Sequence, residues 1–187
     1  MEVKAMAKAI DVAKYILEQR DAHGRETTTF ALQKLLYYCQ SWMLVANGRP
    51  LFDEPIVAWR HGPVVRAVYP YCKGRRLIFP REIPDGDSYR LNVVERSLID
   101  RVVSRFDRLD GKHLGDNLEK MSHEETPWAE TRQGEVIPPE RMLSFYSQVQ
   151  ANPKIDHAAP IPDLYGVSQR TFISDEDADW LDRFLQD

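Results

Sequence analysis

Histidine and carboxylate residues are the side chains best suited to catalysis or metal binding in this chain, but their spacing completes no site. His123 precedes two glutamates, which begins the zinc-binding pattern HExxH, yet Pro127 stands where the second histidine would be needed. His61 lies in a Trp-Arg-His-Gly-Pro turn. We favour a structural role for it, as a hydrogen-bond partner of the backbone, over a role as general base. A role as a titratable group at an interface stays open. No nucleophile stands beside a base. The sequence therefore predicts no catalysis, cofactor or metal, and a hydrolase based on His61 or His123 ranks last.

A second candidate site is a basic window between positions 60 and 81, which contains no Asp or Glu. Its cations are Arg60, Arg66, Lys73, Arg75, Arg76 and Arg81, and Trp59, Tyr69 and Tyr71 are interleaved with them. This pattern fits a nucleic-acid surface, a solvated basic face, or a docking surface for an acidic protein segment. A solvated face is favoured over nucleic-acid binding, and we expect any ligand of the window to be protein. A net charge of −4 gives no general attraction to nucleic acid or anionic membrane.

Aromatic residues are the third notable feature, because Tyr37, Tyr38, Trp42, Trp59 and Tyr69 lie close together in the sequence. A small domain must bury at least half of such a cluster in its core. Those that stay near the surface would be good anchors for a partner, since Tyr and Trp add large contact area at low entropic cost.

Length and composition predict one cytoplasmic domain. The chain has 187 residues, of which 43% are hydrophobic and 29% charged, as is ordinary for a globular protein. It begins without the apolar run of a signal peptide, and no stretch is long enough to span a membrane. Its two cysteines are too few for a disulfide framework.

Helical periodicity dominates the elements that must position these residues. One apolar stripe predicts a helix over residues 6–20, and a second predicts a helix that carries Leu32 to Ala46, capped by a threonine and ended by Gly48. An Asn92-x-x-Glu95 capping box should begin another helix. Further helices are expected around residues 114–121, from Thr126, and over 142–149.

Two non-helical features are also expected. Residues 56–59 predict an extended segment, followed by a helix that begins at Pro63 and is bent or ended by Pro70. Residues 77–79 and 89–91 could pair as a small hairpin.

The fold class is therefore mostly α: a compact helical domain with a small extended or hairpin element and a C-terminal tail helix. We expect the helical domain over residues 1–151, a proline-containing linker or strap over 152–173, and an amphipathic helix over 174–187. That last helix carries an apolar stripe from Trp180 to Leu185 opposite an acidic face. We favour docking beside the basic window, in the same chain or in a second copy, over binding to a partner, which stays open.

Several stretches, taken together, resemble the SocA-like antitoxin family, also called the Panacea domain, of bacterial and phage toxin–antitoxin pairs. They are Leu32-Gln-Lys-Leu-Leu-Tyr-Tyr, Pro50-Leu-Phe-Asp, Ala58-Trp-Arg-His-Gly-Pro-Val, Tyr69, residues 118–124 with their Ser-His-Glu, and Pro127-Trp128. Their order and spacing match over about residues 6–149. The family often has Thr where this chain has Ser122, and the segment after Asn152 lies outside the common pattern.

The resemblance implies a non-enzymatic, mostly helical protein that binds and neutralises a cognate protein toxin encoded beside it. Some relatives act as adaptors that deliver the toxin to an ATP-dependent protease such as ClpXP, and that role is open here. The alternative is a nucleic-acid-binding regulator that uses the 60–81 window, although net acidity and the lack of a helix-turn-helix signature count against it. A homo-oligomer also stays open.

Partner-binding candidates come from the motif positions and the residues beside them, and sequence alone leaves open which are core and which are interface. They are Tyr38, Trp42, Trp59, Arg60, His61, Gly62, Pro63, Arg66, Tyr69, His123, Pro127 and Trp128.

Overall fold

A computed structural model of the protein describes residues 6–109, 113–155 and 157–167. Within them the protein is mostly α-helical, with one small antiparallel hairpin, as the sequence predicts. The elements are α1 (Ala9–Ala22), α2 (Thr29–Asn47), β1 (Ile56–Trp59), β2 (Gly62–Val65), α3 (Tyr69–Cys72), α4 (Val93–Phe106), α5 (Leu114–Glu124), α6 (Thr126–Ala129) and α7 (Pro139–Ala151). Single 3₁₀ turns lie at Pro80–Glu82 and Ser88–Arg90.

Helix α2 is the centre of the fold, because residues 31–46 are buried on every side. It packs against α1, α4, α5, α7 and β2. A helix that is apolar almost all round is stable only when other elements surround it. Its ends follow the predicted signals: the Thr28 hydroxyl accepts a hydrogen bond from the Ala31 amide at 3.1 Å, and Gly48 ends the helix with a φ of +67°.

Two glutamines on α2 hold non-helical backbone against it. The Gln40 side chain accepts a hydrogen bond from the Leu51 amide at 2.7 Å and donates one to the Phe52 carbonyl at 2.8 Å. Gln33 accepts one from the Val65 amide at 2.8 Å, at the end of β2. These bonds satisfy buried backbone groups that have no strand partner. The segment after α2 and the hairpin are therefore fixed directly to the central helix.

The predicted helix at Pro63 is wrong, since residues 62–65 form strand β2 instead. Strands β1 and β2 pair antiparallel, with Trp59 opposite Gly62 and Val57 opposite Val64. The β-branched Val64 and Val65 favour this pleated, buried position over a first helical turn. On its other edge β1 pairs with residues 134–137, where the Ala58 amide donates to the Glu135 carbonyl at 2.9 Å. Backbone pairing on both edges of β1, with β2 and with residues 134–137, thus decides the conformation here.

Two further sequence predictions fail in the same region. Pro70 does not end a helix but lies in the first turn of the short helix α3. A missing amide costs nothing in a first turn, because that amide has no partner within the helix. Residues 77–79 and 89–91 form no hairpin: the Ile78 amide donates to the Thr27 carbonyl at 2.9 Å, and residues 88–90 form a 3₁₀ turn that packs on α1.

The predicted capping box at the start of α4 is confirmed. The Asn92 side chain accepts from the Glu95 amide, and the Glu95 carboxylate accepts from the Asn92 amide, both at 2.9 Å. The apolar stripe from Leu98 to Phe106 then faces the core.

Residues 157–167 cross the surface as a strap and have no regular secondary structure. Ala159, Leu164 and Val167 are buried, and Arg101 on α4 forms an ion pair with Asp163 at 3.3 Å. The predicted helix over 174–187 lies outside the described residues, and the predicted domain boundaries stay predictions. Within the described ranges, every helix is too short or too polar to cross a bilayer.

Candidate functional site

An open groove of about 460 Å³ lies between the first turn of α2, the tip of the β-hairpin and the segment around α3. We call it the aromatic–basic groove, because three aromatic rings and three exposed cations are among the residues that line it. These residues are Phe30, Trp59 and Tyr69, with Arg60, Lys73 and Arg75. The groove brings together a large part of the basic window and two of the predicted aromatic candidates, Trp59 and Tyr69, that are not fully buried.

The aromatic side chains of the groove are held in edge-to-face pairs. Trp59 and Tyr69 pack with ring centres 4.7 Å apart and planes at 73°. Phe30 packs in the same manner against His61, at 5.9 Å and 70°. Phe30 remains 45% exposed and Tyr69 36% exposed. Two fixed apolar rings therefore present their edges and part of their faces to solvent.

Lys34 forms part of the floor of the groove although its side chain is completely buried. Its ammonium donates a hydrogen bond to the Pro63 carbonyl at 3.2 Å and lies 5.9 Å from the centre of the Phe30 ring. Burial lowers the pKa of Lys34 to about 8, and the negative charge of Glu119 partly offsets that effect.

Close packing of Lys34 requires a glycine in β2. Gly62 has a φ of +95°, and a Cβ there would lie 2.7 Å from the Cε atom of Lys34. A side chain at position 62 would therefore require the end of the Lys34 side chain to move, in addition to the strain of the positive φ.

His61 lies at the hairpin tip and pairs with α5. Its Nδ1 atom lies 3.0 Å from a carboxylate oxygen of Glu119, and the imidazole is more than half exposed. An exposed pair of this kind contributes little to stability because water screens it. The sequence expectation of a backbone hydrogen bond is thus replaced by a side-chain pair that can respond to a partner.

His123 and Trp128 brace the hairpin from behind rather than lining the groove. Their rings stack at 3.9 Å with planes 17° apart, and the Trp128 indole donates to the Trp59 carbonyl at 3.1 Å. Burial lowers the pKa of His123, which favours the neutral ring. The adjacent Pro127 is buried.

Two of the predicted partner candidates, Tyr38 and Trp42, are completely buried and cannot contact a partner in this fold. The hydroxyl of Tyr38 donates to the Glu125 carboxylate at 3.0 Å, and that carboxylate also accepts from Tyr146 at 2.6 Å. Trp42 packs its ring 5.3 Å from that of Tyr146. Gly62 and Pro63 are also buried, whereas Arg66 is exposed outside the groove lining.

The basic character continues beyond the groove. A neighbouring depression of about 570 Å³ shares Thr29, Phe30, Gly74 and Arg75 with it and adds Arg76. Arg75 is 3.5 Å from Glu82, and both side chains are partly exposed. Among the described residues that line the depression, Asp116 is the one acidic residue. Cations thus predominate along one continuous concave surface.

Cys72 borders the groove, but burial raises the pKa of its thiol to about 11, so the thiolate that would act as nucleophile is scarce at neutral pH. Across the described ranges, no three His, Cys, Asp or Glu side chains converge in a way that could hold a metal ion.

Phe30 and Lys34 were missed as site residues by the sequence analysis. Phe30 gives a usable signal, since it is a large apolar residue in the first turn of α2 and lies off the apolar stripe. Lys34 gives none, because a lysine between apolar neighbours predicts a solvated face of the helix.

Comparison with known proteins places this chain in a family of antitoxins. The family model for "Antitoxin SocA-like, Panacea domain" matches residues 32–129, from α2 to α6, and the chain belongs to that family. It is similar to Antitoxin SocA of Caulobacter vibrioides (strain NA1000 / CB15N), with 41% identity over 58 residues. That match covers 31% of this chain and 31% of the relative. No solved structure matches the chain.

Proposed function

We propose that this protein is an antitoxin that binds a cognate protein toxin and neutralises it by contact. Membership of the SocA-like antitoxin family is the observation that carries the proposal. The similarity to Antitoxin SocA supports it, although the match spans about a third of each chain. The non-enzymatic role that this family suggests agrees with the shape of the site, which offers rings and cations for a partner.

The surface properties of the site favour protein binding. Aromatic and arginine side chains are the residue types that contribute most to protein–protein affinity. Here Phe30, Tyr69 and Arg75 lie on one concave face, held by a buried helix. Such a face can bind a partner with little loss of conformational entropy.

Co-expression tests this proposal. The reading frame adjacent to the gene for this chain is expressed alone and together with it, and growth and co-purification are scored. We expect the adjacent product to arrest growth alone, and this chain to restore growth and co-purify with it. A variant with Leu36→Asp, which places a charge at a fully buried position, serves as the unfolded control. Persistent growth arrest despite soluble, folded wild-type protein would refute the proposal.

We also propose an adaptor role, in which the antitoxin delivers the bound toxin to an ATP-dependent protease such as ClpXP. Its test is the same co-expression in cells that lack the protease, with the toxin's half-life as the measurement. Restored growth with a stable toxin would show that contact alone is sufficient and would reject the adaptor role.

A further inference from the structure

We propose that the aromatic–basic groove receives an acidic segment of the toxin, with an apolar side chain seated on Phe30 and Tyr69 and a carboxylate beside Lys73 and Arg75. This inference rests on the proposed function and specifies its contact surface. The occupant is protein, and its chemistry is set by the rings and cations that line the groove.

The shape of the groove fits side chains of a bound segment. Its volume of about 460 Å³ exceeds that of a single amino-acid side chain, and it opens into the neighbouring depression at Arg75. Phe30 and Tyr69 keep apolar area exposed on opposite elements, α2 and α3. An aliphatic or aromatic residue of the partner would remove that area from water.

The charge of the groove selects an acidic partner. Arg60, Lys73 and Arg75 line it, and Arg76 follows in the neighbouring depression, while the whole chain carries a net charge of −4. Positive charge is therefore concentrated on one face of an acidic protein. Complementary charge raises the association rate and excludes partners of the wrong sign.

Nearby carboxylates do not cancel this positive face. Glu119 is engaged with His61, and Glu82 lies 3.5 Å from Arg75 with that arginine still about half exposed. Arg75 can therefore exchange or share its ion pair when an acidic segment binds, because exposed pairs are weak.

The ring geometry argues for protein over nucleic acid. Sequence-independent binding of single strands depends on bases stacking against open aromatic faces. Here Trp59 packs edge-to-face on Tyr69, and Phe30 packs edge-to-face on His61. These pairs reduce the ring face that a base could use and leave edges and corners suited to an apolar side chain.

The groove is also preorganised by its supports. Gln33 holds the end of β2, Lys34 holds the Pro63 carbonyl, and Trp128 holds the Trp59 carbonyl. These three hydrogen bonds fix the hairpin against α2 and α6. A segment that binds here meets a rigid surface, which keeps the entropic cost of association low.

The test measures binding of the purified product of the adjacent reading frame to groove variants of this chain. One variant carries Lys73→Glu with Arg75→Glu, and a second carries Phe30→Ala. Matched controls lie outside the groove: Arg90→Glu alters another exposed arginine that pairs with an acid, and Tyr89→Ala removes a ring that is 83% exposed. All variants change exposed side chains, so their melting temperatures should stay close to wild type.

We expect each groove variant to weaken toxin binding by about tenfold or more and to reduce rescue of growth. Each control should stay within about threefold of wild type. The charge-reversal variant should also lose most of the salt dependence of binding.

Several results would overturn the groove proposal without touching the proposed function. Wild-type affinity in both groove variants, with neutralisation intact, would move the toxin site elsewhere. Salt-sensitive binding of duplex DNA, lost in Lys73→Glu with Arg75→Glu while toxin binding is unchanged, would assign the groove to nucleic acid. A third result would assign the groove to the chain's own tail: toxin binding is unchanged in the groove variants, and a chain that ends at Val167 melts at a lower temperature than the full chain. If wild-type protein neither binds nor neutralises, the proposed function itself fails.

Discussion

Glu125 joins three elements through one buried carboxylate. It accepts hydrogen bonds from Tyr38 on α2 at 3.0 Å, from Tyr146 on α7 at 2.6 Å and from the Ala159 amide in the strap at 3.0 Å. Burial raises the pKa of the carboxyl, and the hydrogen bonds from these donors oppose that effect. The cluster around Glu125 is therefore a stability element, and it lies in the core, apart from the groove.

Replacement of Glu125 by Ala should destabilise the protein strongly. The variant leaves the Tyr38 hydroxyl and the buried Ala159 amide without their acceptor, while the Tyr146 hydroxyl keeps only Tyr37 at 3.1 Å. We therefore expect the free energy of unfolding to fall by about 3 kcal/mol. Urea denaturation measures the change. The neighbouring Glu124 is exposed, and Glu124→Ala should stay within about 0.5 kcal/mol of wild type. Equal effects of the two substitutions would contradict this role of Glu125.

Lys34 should make the stability depend on pH in the alkaline range. Its pKa is about 8 in the folded protein, against an ordinary value of 10.5 for lysine. Between these values the unfolded chain keeps a proton that the folded chain has released, so a rise in pH favours folding. Relative to Lys34→Met, the wild-type free energy of unfolding should increase by about 3 kcal/mol across this interval.

Equilibrium unfolding of both proteins at several pH values checks the Lys34 prediction. All other titratable groups are common to both proteins, so their contributions cancel in the difference. Lys120 on α5 is exposed, so Lys120→Met should reproduce the wild-type profile. Parallel profiles for wild type and Lys34→Met would show that Lys34 has no perturbed pKa.

At the scale of the element, the hairpin depends on close approach between β2 and α2. A comparison of two glycines distinguishes crowding by a neighbouring side chain from backbone strain. Gly62 has a φ of +95° and lies close to Lys34, whereas Gly134 has a φ of +89° and open space around it. An added Cβ is strained at both positions, and it meets another atom only at Gly62.

Gly62→Ala should therefore cost more than Gly134→Ala. We expect the first substitution to lower the free energy of unfolding by about 1–2 kcal/mol more than the second, because the Lys34 side chain must move in a packed interior. Thermal or urea denaturation of the two variants gives the comparison. If both lose the same stability, the distance between hairpin and helix is not tightly constrained.

At the scale of the whole molecule, the strap over 157–167 completes the domain. It buries Ala159, Leu164 and Val167 and supplies one of the three donors to Glu125. Its contacts with α4 include the hydrogen bond from Arg105 to the Ile161 carbonyl at 3.2 Å. We infer that the folded unit extends past residue 151, where the composition changes.

Truncation tests this extent of the domain. The free energy of unfolding of a chain that ends at Ala151 should be roughly 4 kcal/mol lower than that of a chain that ends at Val167. The shorter chain exposes the apolar surface beneath the strap and loses one hydrogen bond to Glu125. Differential scanning calorimetry of the two chains measures the difference. Identical melting temperatures would indicate that this segment is a linker, which is one of the two alternatives that the sequence predicted for residues 152–173.

Local signals were sufficient to predict most helices from the sequence. The Asn92–Glu95 capping box, Gly48 after α2 and the apolar stripe of α4 involve residues within a few positions of one another, so their physics is visible in the chain. The motifs from Leu32 to Trp128 likewise predicted the antitoxin family, which is confirmed. The assignment of partner-binding residues stays a prediction.

The tertiary structure decided what depended on distant partners. Strand β2 replaced a predicted helix because its backbone pairs with β1 and with the Gln33 side chain. Gln33 and residues 134–137, which pair with the other edge of β1, are remote in sequence. Burial likewise separated Tyr38, which faces Glu125, from Phe30, which faces the groove, although both belong to α2. The sequence alone determined the helical class and the family. Only the packing determined which aromatic and charged side chains share a surface, because exposure and proximity are properties of the folded chain.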